Sequence, residues 1–145
     1  YDQNTTKEKW GQENYKKKYG EDEHKASIKI AEELKVSGEV KDHIRAVSFI
    51  GAPETATGSN FGHKILEYCD SRVTPFGVVG TEERLMDLRN RYDHRGGNTP
   101  ERLAYEKAVR EMETQIFSRC KIKPEDITEE AVMPIIAELK TFMIK

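Results

Sequence analysis

The stretch Thr99–Ile116, TPERLAYEKAVREMETQI, decides the fold of this 145-residue chain. Thr99 and Pro100 predict the start of a helix, because threonine is a good N-cap and proline fits the first helical position. The apolar residues that follow recur at helical spacing and predict one buried side: Tyr105, Ala108, Met112 and Ile116. Nearly every other segment has the same helical period and none shows the sustained alternation of a strand, so we expect an all-α fold.

Further helices are predicted on both sides of this stretch. They are Glu21–Lys35, a helix capped by Ser37, Phe61 to about Arg72, a helix capped by Thr81, and a last helix that starts near Pro134. The lysine-rich stretch Lys7–Tyr19 fits either a polar helix or an ordered tail. The apolar stripes expected to be buried are Ala26, Ile30, Ala31 and Leu34; Val40, Ile44 and Val47; Leu85, Leu88 and Tyr92; and Ile135, Ile136, Leu139 and Phe142. Turn-forming residues predict loops at Gly51–Asn60, Thr74–Gly77, Asp93–Asn98 and Lys123–Asp126.

Composition and charge make some classes of function less expected for this chain. The 24 basic and 26 acidic residues nearly cancel, so no overall field attracts nucleic acid, and binding to duplexes is disfavoured. The chain has no apolar run of the roughly 18 residues that a spanning helix needs, and its start shows no signal-peptide core and no methionine. We therefore expect a soluble, cytoplasmic protein, cut from a longer one. Cys69 and Cys120 occur in no C-x-x-C or zinc-ribbon spacing, which favours two buried or idle thiols over a disulfide or a metal site.

The helix that begins at Phe61 places an imidazole and two carboxylates on one side. At 100° per residue, His63, Glu67 and Asp70 fall within about 60° of one another. These groups suit a divalent metal ion, but polar groups opposite a buried apolar stripe more often form a solvated face. The residues expected to form that stripe are Ile65, Leu66, Cys69 and Val73. Both interpretations stay open, and Asp70 is the member that borders the stripe.

The segment Lys64–Tyr92, KILEYCDSRVTPFGVVGTEERLMDLRNRY, resembles the C-terminal part of HD-domain proteins, the metal-dependent phosphohydrolase superfamily. In that family an aspartate in a helix of the form K-I-x-x-Y-x-D-x-R-V supplies the last metal ligand, and Asp70 matches it. The resemblance extends back through Glu23-His24 and Ala31–Leu34 and forward through Pro124–Lys140. It covers about four-fifths of the chain and implies a multi-helix HD-like bundle.

The other metal ligands of that family, an early histidine and an adjacent His-Asp pair, have no match in this chain. The residues that follow the four histidines are Lys25, Ile44, Lys64 and Arg95, and Asp42-His43 is the reversed pair. We therefore expect one helical domain over 1–145 that lacks its first helices, with 1–92 as the C-terminal part of the HD-like bundle and 93–145 as a helical extension. The missing ligands would precede Tyr1.

The resemblance also implies an activity for the full-length protein: a divalent metal ion would activate water for hydrolysis of a phosphate ester or nucleotide. Asp70 would ligate the metal, and His24 would lie near the phosphate or a second metal unless it is structural. The chain by itself would be inactive and hold no metal tightly, because one carboxylate is too few ligands.

Several alternatives remain open at this point. Arg72, Arg84 and Arg91 suit phosphate, but on charged helices they more often pair with carboxylates such as Glu67 or Glu83. The glycines of Gly96–Asn98 fit a simple turn better than a phosphate-binding loop. The competing roles are a non-catalytic helical binding module and nucleic-acid binding through Lys7–Lys18. If first helices are missing, an apolar patch next to Asp70 should be exposed. The chain should then either form a homo-oligomer through that patch or be ordered only within a longer chain.

Overall fold

Helices make up most of the part of the chain that the computed structural model describes, which is residues 6–92, 94 and 97–142, with side chains from residue 11 onward. The helices are α1 (Thr6–Tyr19), α2 (Glu23–Glu33), α3 (Gly38–Ala46), α4 (Ala52–Thr57), α5 (Phe61–Asp70), α6 (Thr81–Tyr92), α7 (Pro100–Phe117) and α8 (Glu129–Leu139). Two short antiparallel strands, β1 (Val73–Thr74) and β2 (Gly77–Val78), pair Val73 with Val78 and Thr74 with Gly77. The all-α prediction is confirmed.

The chain divides into two compact units, the first ending at Ser48 and the second beginning at Phe49. In the first unit, the Lys7–Tyr19 stretch is helix α1, and Ser37 caps α3 by accepting a hydrogen bond of 3.2 Å from the Val40 N–H, as predicted. The burial expected for Leu34 and Val40 is wrong, since these side chains are 71% and 43% exposed. Helix α2 ends at Glu33, one residue before Leu34. Lys35 then changes the direction of the chain with a left-handed φ of 54°. The prediction of a single domain over 1–145 stays a prediction.

Helix α7 is the centre of the second unit. Thr99 caps it by accepting a hydrogen bond of 3.2 Å from the Arg102 N–H, and Pro100 takes the first helical position, as the sequence predicts. All four residues of its predicted apolar side are buried, and they pack in one core with side chains of α4, α5 and α6. The principal partners in that core are Ala52, Ala56, Tyr68 and Leu85.

The predicted loop Gly51–Asn60 is wrong, because residues Ala52–Thr57 form helix α4. Pro53 lies in the first turn, where a missing N–H costs no hydrogen bond. Ala52 and Ala56 are four residues apart and fully buried in the core. Turn-forming composition therefore concealed a short helix that tertiary packing stabilises.

The predicted orientation of α5 is also wrong. Ile65, Leu66 and Cys69, expected in the core, are exposed, and so is Val73, which begins β1. Lys64, Glu67 and Tyr68 are buried instead. The Tyr68 ring fills the core edge-on against Phe117 at a centroid distance of 5.7 Å, and this aromatic anchor turns the polar side of α5 inward.

Helix α8 begins earlier than predicted and is more exposed. It begins at Glu129, capped by Thr128, and Pro134 lies inside it. The expected burial of Ile135, Ile136, Leu139 and Phe142 is wrong: Ile136 is half-buried and the other three are exposed. No described residue of α8 is buried.

The start of helix α6 agrees only in part with the prediction of a helix capped by Thr81. Thr81 is its first residue rather than its cap, and its hydroxyl donates to the Glu113 carboxylate. Leu85 is buried and Leu88 is half-buried, whereas Tyr92 is exposed, contrary to expectation, because it lies at the end of the helix, beyond the core. Within the described ranges, no helix is long and apolar enough to cross a membrane.

Candidate functional site at the end of helix α5

Asp70 is the last residue of α5, and its carboxylate is exposed. Helix α5 is fixed at its start by Asn60, which accepts a hydrogen bond of 3.3 Å from the His63 N–H. At its end the Ser71 N–H donates to the Glu67 carbonyl at 3.0 Å. Among the described residues, the Asp70 carboxylate forms no hydrogen bond or ion pair. It is thus a free acceptor at the end of a helix that hydrogen bonds fix at both ends.

The three polar residues predicted to share a side of α5 do not form a metal site by themselves. Glu67 is 1% exposed, His63 is half-buried and Asp70 is exposed. In the part of the chain with described side chains, no three histidine, cysteine or acidic residues gather as metal ligands. The alternative prediction, a solvated face, is also wrong for Glu67, because its side chain is buried.

Tyr105 of α7 lies behind this end of α5. Its side chain is buried, its ring stacks on Phe49 at a centroid distance of 4.7 Å, and burial raises the pKa of its hydroxyl. The carboxylates of Glu67 and Asp70 raise that pKa further, whereas Arg84 opposes them. Tyr105 is therefore protonated and neutral at neutral pH, and the charge of the Asp70 carboxylate contributes to its raised pKa.

Arg72, two residues beyond Asp70, is buried and fully engaged. Its Nε–H donates to the Val79 carbonyl, and Nη1–H donates to the Tyr68 hydroxyl. The remaining N–H groups donate to the carbonyls of Ile127 at 2.9 Å and Pro124 at 3.3 and 3.4 Å. All five donors of the guanidinium have partners, so Arg72 is a clamp between three chain segments and not a phosphate ligand.

A buried polar network extends the clamp to α7. The Tyr68 hydroxyl donates to the Glu113 Oε2 at 2.7 Å, and the Thr81 hydroxyl donates to the same oxygen. Burial, together with the bond to Glu113, raises the pKa of Tyr68 to about 12. Arg72 lies 3.9 Å from the Glu113 carboxylate and supplies its counter-charge. The carboxylate partner of Arg72 is therefore Glu113 and not the nearby Glu67.

The other two arginine candidates also have carboxylate partners. Arg84 and Arg91 both pair with Asp87, each at 2.8 Å, rather than with Glu83. The Arg84 Nε is buried and has no partner among the described residues. Neither arginine is near a free anion site that the structure defines.

Two further predicted features are His24 and the glycine-rich turn Gly96–Asn98. His24 is in the first turn of α2, half-buried, and belongs to the first unit, whereas Asp70 belongs to the second. Within Gly96–Asn98, Gly97 has a left-handed φ of 63°, as a turn glycine does, and Gly96 lies outside the described residues.

A cavity of about 520 Å³ lies beside Arg72, between the start of α6 and the segment that precedes α8. No motif or pattern in the sequence predicted it. Its charged lining is mainly acidic and includes Glu82, Glu83, Glu125 and Glu130. The nearest basic group is Arg72, whose donors are all used. A cavity of this charge disfavours direct binding of an anionic phosphate by its own side chains.

Comparison of the chain with protein-family models, curated proteins and solved structures found no match. The functional assignment therefore depends on the residues themselves.

Proposed function

We propose that this chain forms the C-terminal part of a metal-dependent phosphohydrolase of the HD-domain type, in which Asp70 is a metal ligand. The substrate class is a small phosphate ester or a nucleotide, and the cofactor is a divalent metal ion. His24 is proposed as a contact to the phosphate or to a second metal. A cytoplasmic location belongs to the proposal, because exposed free thiols such as Cys69 and Cys120 persist in a reducing compartment.

The observation that carries the proposal is a difference in burial within the K-I-x-x-Y-x-D-x-R-V pattern. Its lysine, tyrosine and arginine are buried, whereas its aspartate is exposed. Lys64 donates to the Gln115 side chain, Tyr68 donates to Glu113, and Arg72 clamps two loops. These three polar residues are buried and fix the helix, whereas the Asp70 carboxylate is exposed and free of hydrogen bonds and ion pairs among the described residues. A carboxylate held on a rigid element and left without a partner is suited to bind a cation.

When bound, a divalent ion supplies a water of lowered pKa and polarises a phosphoryl oxygen. The contribution of this chain is one hard oxygen donor, which suits manganese or magnesium. Further donors, the early histidine and the His-Asp pair of the resemblance, would come from residues beyond these 145. The isolated chain is therefore proposed to be inactive.

The test begins with the coding sequence upstream of Tyr1. An early histidine and a His-Asp pair within about one domain length support the proposal, and their absence contradicts it. In the product of the complete reading frame, Asp70→Asn should weaken manganese binding by at least about 100-fold, measured by calorimetry or by the electron paramagnetic resonance of free manganese. Glu83→Gln is the matched control, because Glu83 is exposed and unpaired among the described residues. Equal affinity in both variants contradicts the proposal.

A second candidate function, a non-catalytic helical binding module, is favoured by one observation. Ile65, Leu66 and Cys69 of α5 and Ile135 and Leu139 of α8 leave apolar helix surface in water. Binding of a partner that does not change when metal is removed and is intact in Asp70→Asn would favour this module over the enzyme.

A further inference from the structure

Residues 121–142 form a segment of the second unit that we name the strap. It contains one turn of 3₁₀ helix at Pro124–Asp126 and the whole of helix α8. None of its residues is buried, and its best-covered apolar side chains in α8, Val132 and Ile136, are only half-buried. Burial of apolar side chains is the main term that holds a segment in a fold. The strap has little of it and therefore depends on its polar bonds to the rest of the unit.

Two groups of hydrogen bonds attach the strap to the rest of the unit. In the first, the Arg72 guanidinium donates to the carbonyls of Pro124 at 3.3 and 3.4 Å and of Ile127 at 2.9 Å. In the second, the Val78 N–H donates to the Glu129 Oε2 at 2.8 Å. Among the described residues, every other hydrogen bond of the strap stays within it. Both attachments lie between residues 124 and 129, so the rest of α8 has no hydrogen bond of its own to the body of the unit.

The attachment at Glu129 has a matching shape on the hairpin. The Glu129 carboxylate lies against Gly77, where an added Cβ would stand 2.5 Å from Oε2 and 2.9 Å from Cδ. Gly77 also has a φ of 128°, a conformation that side chains rarely allow. The hairpin therefore leaves room for this carboxylate, which acts as a latch for the strap.

The strap forms one wall of the cavity of about 520 Å³ beside Arg72. Its acidic side chains on that wall are Glu125, Glu129 and Glu130, and those at the start of α6 on the other wall are Glu82 and Glu83. Like charges around one cavity repel each other, and this repulsion opposes closure. The closed position of the strap is thus held by few bonds and weakened by its own charge.

We propose that the strap closes this cavity and releases from it as one unit, while the core around α7 stays folded. Segments with few buried apolar contacts open locally at a lower free energy than the whole fold. Release breaks the bonds to Arg72 and Val78 and opens the cavity wall formed by Arg72 and Glu113 to solvent. The proposal does not depend on the proposed enzyme function.

Hydrogen exchange of individual backbone amides, followed by NMR at neutral pH, measures this opening in the full chain. Amides of α8 should exchange at least about 100-fold faster than the slowest amides of α7, yet at least about tenfold slower than in an unfolded peptide. The Val78 amide should have the protection factor of the α8 amides within about threefold, because its acceptor Glu129 leaves with the strap.

Three results of this measurement would overturn the proposal. They are α8 amides as slow as those of α7, α8 amides without protection, and a Val78 amide that stays protected after the α8 amides have exchanged.

Glu129→Ala tests the latch, and Glu130→Ala is the matched control. Both variants remove a carboxylate from the first turn of α8, but the Glu130 carboxylate is exposed and has its hydrogen bonds within the strap. Glu129→Ala should raise the exchange rate of the α8 amides at least about tenfold more than Glu130→Ala does, with α7 unchanged in both. Circular dichroism verifies that each variant is folded. Equal effects of the two variants, or faster exchange that extends to α7 in Glu129→Ala, would refute release of the strap as a separate unit.

Discussion

Replacement of Arg72 by alanine should be the most destabilising single change near the candidate site. The side chain is 4% exposed, and its five N–H groups donate to one hydroxyl and three backbone carbonyls. Alanine leaves the Val79 and Ile127 carbonyls without the guanidinium donor, whereas the Pro124 carbonyl keeps its bond from the Ile127 N–H. The Glu113 carboxylate keeps its hydroxyl donors but loses its counter-charge. At about 1 kcal/mol for each acceptor left unpaired beside a cavity, and somewhat more for the carboxylate, the free energy of unfolding should fall by about 3–5 kcal/mol.

Urea unfolding followed by circular dichroism measures this loss. Arg91→Ala is the control, because Arg91 forms a partly exposed ion pair with Asp87, which is worth at most about 1 kcal/mol. If Arg72→Ala lowers the free energy of unfolding by less than about 1 kcal/mol, the guanidinium does not clamp the 124–127 segment to α5. Arg72→Lys should recover only a small part of the loss, since an ammonium group cannot reach three carbonyls at once.

Three further predictions concern the hairpin, the pH dependence and the metal. Gly77→Ala should lower the free energy of unfolding by about 1–3 kcal/mol in thermal unfolding, because Gly77 has a φ of 128° and an added Cβ would lie 2.5 Å from the Glu129 Oε2; an unchanged melting temperature contradicts this. The ion pair with Arg89 lowers the pKa of Glu106, so the stability it gives is present above about pH 4.5 and is lost as the pH falls through the folded-state pKa. Urea midpoints between pH 3 and 6 should therefore fall less steeply in Glu106→Gln than in the wild type, and parallel curves contradict this. Titration of the isolated chain with manganese should show weak binding or none, and tight binding that Asp70→Ala abolishes would show that this chain supplies more ligands than Asp70.

The sequence predicted the parts of the fold in which local signals and tertiary packing agree. Thr99, Pro100 and the apolar residues of α7 act within one helix, and both the cap and the buried side are confirmed. Helix α4 was missed because its stability comes from Ala52 and Ala56 against α7, about 50 residues away, while its own composition is typical of a turn.

The orientation of α5 could not be predicted from its own pattern. Hydrophobicity places Ile65 and Leu66 inside, but the partners that satisfy Lys64 and Tyr68 are Gln115 and Glu113, far along the chain. A single sequence gives no signal for such pairs. The role of Arg72 as a clamp was hidden for the same reason, since its acceptors are backbone carbonyls that any residue carries.

Metal-dependent hydrolysis of bis(p-nitrophenyl) phosphate by the product of the complete reading frame tests the role of Asp70 most directly. Manganese should support turnover, Asp70→Asn should lower the rate by at least about 100-fold, and Glu83→Gln should leave it unchanged. Full activity in Asp70→Asn, or the absence of any metal-dependent turnover in a folded wild type, would contradict it.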